Sequence, residues 1–229
     1  PPPPADLQQE RGPPLVGTYA CYSHAWSPYF RGRLIRGELS IMTAPGSQRL
    51  TATYAEALPT GRLHVEGAVA LNKRALHIDV HQPAGDAQFA FCLFRPAPPV
   101  SVLAGLMCGA TVIGPEVQLS VTRIAMVRLP GASAKLRETE AYLAPQASVA
   151  RDLATLGLPV AEPALLDQQI ATFLCGGEGG GLDLIASDTY RTLAELLDRS
   201  WLASTANAAE PAAAAPGSAV FPAERRAQG

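Results

Sequence analysis

The chain has 229 residues, 48% of them hydrophobic and 17% charged, with a formal net charge of −2. That composition is globular and long enough for one sizeable core or two small ones. It excludes a broad positive field for nucleic acid, because the basic clusters (Arg31, Arg33 and Arg36; Arg225 and Arg226) are small. The cysteines, at 21, 92, 108 and 175, form no CxxC or other ligand spacing and point to a reducing cytoplasm.

Residues 1–14 open on "PPPP", with no initiator Met and no charged-then-apolar leader. They read as a stiff proline-rich linker continuing from a longer protein, without a signal peptide. Residues 15–130 then show period-two hydrophobicity broken by turn residues. Strands are expected at about 15–26, 33–43, 48–57, 61–71, 74–82, 87–95, 101–113 and 117–129. Their links, "APGSQ", "LPTG", "NK", "PAGD" and "GPEV", are hairpin-sized. The expected fold class is mainly β with a C-terminal α part: an eight-stranded antiparallel up-and-down barrel, or a curled sheet, followed by a small helical region. The longest uncharged run, 96–115, has prolines at both ends and only about 14 apolar-compatible residues between them, short of the roughly 20 that a spanning helix needs, so it reads as a buried strand, not a membrane anchor.

The first inter-strand connection, "HAWSPYFRGR" at 24–33, concentrates Trp26, Tyr29 and Phe30. These rings either plug one end of the barrel or form a lid over a ligand, with Arg31 and Arg33 able to meet an anionic group. On the second strand Arg36 and Glu38 lie opposite the row Ile35, Leu39 and Ile41 and read as an exposed pair.

The stretch "RLHVEGAVALNKRALHIDVHQ" reads as a hairpin turning at Asn72 and Lys73. In that register His64 faces His81, Glu66 faces Asp79, and Ala68 faces His77. One face then holds three histidines and two carboxylates. The other carries Leu63, Val65, Val69, Leu71, Leu76, Ile78 and Val80, whose burial at about 1.5–3 kcal/mol per large side chain turns that row inward. The polar face is therefore expected in water. The alternative is a metal site built from His64, His77, His81 and Asp79, serving a metal-assisted hydrolase, although catalytic zinc favours a dry pocket. No catalytic residue and no cofactor is assigned.

After Pro130 the period changes, and residues 131–204 read as helical. Ser133 is expected to cap a helix to about Leu143, and a second helix spans about 147–157. Pro163 opens a third to Cys175, and Ser187 or Asp188 caps a fourth to about Ser204. The fourth helix carries a stripe of Tyr190, Leu193, Leu197 and Trp201, which needs either the barrel or, in a homodimer, a second subunit. "CGGEGGG" at 175–181 lacks GK[ST] and a surrounding βαβ unit, so it reads as a helix C-cap and link rather than a phosphate loop. Residues 205–229 are Ala/Pro-rich and aperiodic and read as a disordered tail.

"LVGTYACYSHAW", "RGRLIRGELSI", "HVEGAVAL", "FAFCLFRP" and "LAGLMCGATVIGPEVQLSVTRIAMVR" together resemble the strand-rich C-terminal region of bacterial XRE-type (lambda-repressor-like) helix-turn-helix regulators. The matching positions are Gly17 and Tyr19, Gly105 and Gly109, and Arg123, Ile124 and Arg128. The G-x-Y opening is also similar to that of lipocalin-like barrels, which open on G-x-W. The resemblance implies a bacterial, cytoplasmic, non-catalytic sensor or regulatory module that binds a small, partly apolar ligand or a partner protein. Its DNA-binding part would precede this segment, which itself contacts neither nucleic acid nor membrane. A purely structural docking domain is the remaining alternative, because large branched interior side chains can fill an eight-stranded barrel.

Overall fold

Alternating side chains only bury one row each if the sheet closes on that row, and here it does. The computed structural model describes residues 14–110, 117–131, 134–176, 185 and 187–209. The strands β1 (Gly17–His24), β2 (Leu34–Thr43), β3 (Leu50–Leu58), β4 (Gly61–Leu71), β5 (Ala75–His81), β6 (Gln88–Phe94), β7 (Val102–Ala110) and β8 (Leu119–Arg128) follow in chain order. Each pairs antiparallel with the next, and β8 returns to β1, where Tyr19 faces Arg128, so the barrel is closed and up-and-down. Closure leaves no unpaired strand edge.

Tyr19, Cys21, Leu39, Ile41, Tyr54, Val65, Ile78, Phe91, Leu103, Ile124 and Met126 belong to the inner cluster, nearly without solvent exposure. Gly37 stands in an inward row because Tyr54 needs the space: a Cβ there would lie 2.5 Å from the Tyr54 ring and hydroxyl. Gly37→Ala should therefore displace Tyr54 and lower stability by about 1–3 kcal/mol, read from the denaturant midpoint. The end of the barrel where β1 begins is closed by Leu15 and Val100, both buried. There the Tyr19 hydroxyl donates to the Leu15 carbonyl at 2.9 Å, and Arg128 donates to Val16 at 2.6 Å.

The helices α1 (Ala134–Glu138), α2 (Val149–Thr155), α3 (Pro163–Cys175) and α4 (Ser187–Ala209) cover one outer wall. Ala20 and Tyr22 of β1, Val102 and Ala104 of β7, and Ala125 and Val127 of β8 form a second buried cluster with Leu153, Leu166, Ile170, Phe173, Leu193 and Leu197. The barrel and the helices thus share an apolar layer, and the alanines let the helices approach the sheet closely. Pro163 opens α3 as expected, and the Ser148 hydroxyl caps α2 by accepting from the Arg151 N–H at 3.0 Å. The proposed Ser133 cap lies outside the described residues, as do 177–181 of the glycine run and 210–229 of the tail.

Two expectations change. The first helix does not reach Leu143: it ends at Glu138, and residues 141–143 continue as an extended strap. The strap fits between strand ends, with Arg36 N–H donating to the Ala141 carbonyl (2.7 Å), Ala141 N–H to Ala57 (2.8 Å) and Leu143 N–H to Leu34 (2.9 Å).

Arg36 and Glu38 are not an exposed pair, being 5% and 7% exposed beneath this segment. Each takes a partner from the helical region instead. Arg36 meets Asp152 at 2.5 Å and Thr139, while Arg137 grips Glu38 at 2.9 and 3.0 Å.

Of the two covers open to the α4 stripe, the chain's own barrel is in contact with it. Leu193 and Leu197 are fully buried, Tyr190 stacks on Phe94 at 4.7 Å, and Trp201 lies 5.1 Å from the Arg128 guanidinium. Among the described residues no helix is long and apolar enough to cross a membrane.

Candidate functional site

At the barrel end where β1 finishes, the 24–33 connection turns inward. It forms one 3₁₀ turn, Pro28–Phe30, and brings Trp26 and Phe30 over the opening. The Trp26 ring tilts against Phe89 at 5.9 Å, and Tyr54 meets Phe89 and Phe91 edge-on at 5.8 and 5.5 Å. Phe30 stacks on Tyr142 of the strap at 3.7 Å. Arg33 clamps that stack, donating to the Leu143 and Tyr142 carbonyls at 2.6 and 2.8 Å.

Beneath this closure lies a cavity of about 30 Å³ whose walls include Ser23, Trp26, Ser27, Glu56, Phe89 and Tyr142. That is room for about two waters. Glu56 belongs to the inward row Ala52, Tyr54, Glu56 and Leu58 of β3 and is 7% exposed. The Tyr54 hydroxyl donates to Glu56 Oε1 at 2.5 Å. Burial pushes the Glu56 carboxyl up to about 7, against the Tyr54 hydrogen bond, which lowers it. Burial likewise pushes Tyr142 up to about 12, helped by the Glu56 charge, and raises the Cys21 thiol well above its ordinary value. Among the described residues, two that line the cavity carry a buried polar atom without a hydrogen-bond partner: the indole Nε1 of Trp26 and the hydroxyl of Ser27, a residue 3% exposed. A buried polar group left unpaired costs about 1–3 kcal/mol.

The anticipated ligand-binding residues divide. Trp26 and Phe30 close the mouth, whereas Tyr29 is 67% exposed and Arg31 is also on the surface. Arg33 holds the strap, its Nε and Nη2 donating to carbonyls. Glu56, Tyr54, Ser27, Tyr142 and His24 were not singled out from the sequence. His24 lines the cavity and also an outer groove of about 230 Å³ beside α3, where its Nε2 lies 4.0 Å from Cys175 Sγ.

The histidine hairpin keeps its expected face but not its register. Asn72 Oδ1 accepts from the N–H groups of Arg74 and Ala75, which lengthens the turn. Consequently Glu66 faces His81, Ala68 faces Asp79 and Ala70 faces His77. His64, Asp79 and His81 are exposed and His77 half-buried, while Val65, Leu76, Ile78 and Val80 point into the core. Among the described residues no group of three or more His, Cys, Asp or Glu is placed to hold a metal ion. Replacing His64, His77 and His81 together by Gln should leave the melting temperature unchanged within error; a loss of several degrees would mean that the row packs against something.

Neither protein-family models nor curated proteins nor solved structures match the chain. The functional reading therefore rests on the mouth itself.

Proposed function

We propose that the protein is a non-catalytic sensor module that binds a small, partly apolar ligand at the mouth of the barrel. The observation carrying this reading is a cavity lined by the buried carboxyl of Glu56 together with Trp26 and Ser27, whose buried Nε1 and hydroxyl have no hydrogen-bond partner. Such a combination, a mostly apolar wall with a few convergent polar groups, is the usual chemistry of a small-molecule site. The regulatory part of the proposal draws support from the strap. Tyr142 is a cavity wall, and the strap's hydrogen bonds to β2 and β3 lie beside the Arg36–Asp152 contact into α2. A ligand that shifts Phe30 and Tyr142 would thereby be felt on the outer helical face.

A thermal-shift screen of small cationic, neutral and anionic compounds tests the proposal. At least one compound should raise the wild-type midpoint, and Trp26→Ala should reduce that shift. Trp26 is half-buried, so its truncation should cost less than the roughly 3–5 kcal/mol of a fully buried ring. A protein heavily destabilised by Trp26→Ala and silent to every compound would have a plug there, with the barrel serving as scaffold.

A further inference from the structure

We infer that the mouth takes the ammonium group of a small amine carrying an oxygen close to its nitrogen, ethanolamine being the simplest example; this rests on the mouth being a ligand site. The wall chemistry selects the charge. Among the described residues no Lys or Arg lines the cavity beside the Glu56 carboxyl, so a bound ammonium would supply a counter-charge there. Tyr54 occupies only Oε1 of Glu56, leaving Oε2 as an acceptor. The aromatic residues Trp26 and Phe89 line the same space, and a ring there favours a cation over an anion.

The orphaned atoms select the rest. The Ser27 hydroxyl can accept a second ammonium proton, whereas the indole N–H is a donor only and requires an oxygen on the ligand. A carboxylate ligand would place two acids side by side and have to share a proton with Glu56. The cavity admits only the polar head, and the carbon chain would lie outward against Phe30 and Tyr142.

The titratable groups around Glu56 are Tyr54 on β3, Cys21 on β1, Tyr142 on the strap, and His24 at the end of β1. Burial keeps Tyr54, Cys21 and Tyr142 neutral, and His24→Gln serves as the control for Glu56→Gln.

The experiment titrates the full chain with ethanolamine, ethylene glycol and glycolate, three hydroxylated two-carbon compounds differing in charge, at pH 6 and pH 8 and constant ionic strength. Binding is followed through the indole N–H signals. Ethanolamine should bind most tightly and about tenfold better at pH 8 than at pH 6, as Glu56 ionises around 7. Glu56→Gln should abolish that dependence and weaken binding, and His24→Gln should preserve it. Tighter binding of ethylene glycol or glycolate would overturn the amine assignment while leaving the mouth as a site. Silence towards all three at both pH values, in wild type and variants, would overturn the assignment and count against the mouth as well.

Discussion

Glu56→Gln is expected to stabilise the protein above about pH 7 and to flatten its stability profile from there down towards pH 5. The folded-state carboxyl sits at about 7 against an ordinary value of 4.5. The folded protein therefore holds this proton more tightly than the unfolded chain does. The neutral acid's contribution is fully present below about 4.5 and is lost as pH rises through 7. The difference corresponds to about 3 kcal/mol once both states are ionised. Gln keeps the shape and an acceptor for the Tyr54 hydroxyl but cannot ionise, so the variant should gain up to about that amount at pH 8–9 and nothing near pH 4. Urea unfolding at several pH values measures this directly. A wild-type profile without a fall between pH 5 and pH 8 would mean that water or a counter-charge reaches the carboxylate.

Arg36→Ala is expected to cost about 3–5 kcal/mol, the loss typical of removing one member of a buried ion pair. Arg36 lies under the strap with its guanidinium 2.5 Å from Asp152, and Asp152 also accepts the Tyr22 hydroxyl at 2.8 Å. The truncation strands a carboxylate between the barrel wall and α2. Replacing both partners, Arg36→Met with Asp152→Leu, should cost far less than the sum of the single changes, because no charge is then left unpaired. A nearly neutral Arg36→Ala in urea unfolding would show that the helical layer leaves this contact open to water.

The barrel was legible because strand alternation and hairpin-sized links are local signals. The helical layer left its mark too, in the apolar residues on both faces of 101–110 and 124–127, a pattern of strands covered on two sides. Which element covers them is a long-range matter. For that reason Arg36 and Glu38 looked like solvent-facing charges until residues 137–152 were in place. The hairpin register slipped by two residues because Asn72 accepts two N–H groups and widens the turn, but a two-residue slip preserves the face. At the mouth, the aromatic loop was conspicuous, yet Glu56 was not, although it shares parity with Ala52, Tyr54 and Leu58 and so had to point inward with them. Tyr142 could not be found by pattern at all, since it arrives from a segment that reads as helix.

The mouth as a binding site is tested most directly by the two indole N–H signals in the nitrogen–proton spectrum, Trp26 and Trp201 being the chain's 2 tryptophans. Trp26 faces the cavity, and Trp201 sits near Arg128 at the other end of the barrel, so each serves as the other's control. With signals assigned by Trp26→Phe, addition of the tightest-binding compound should move the Trp26 signal saturably and leave Trp201 in place. A Trp26 signal that stays fixed, or drifts together with Trp201 without saturating, would contradict the account.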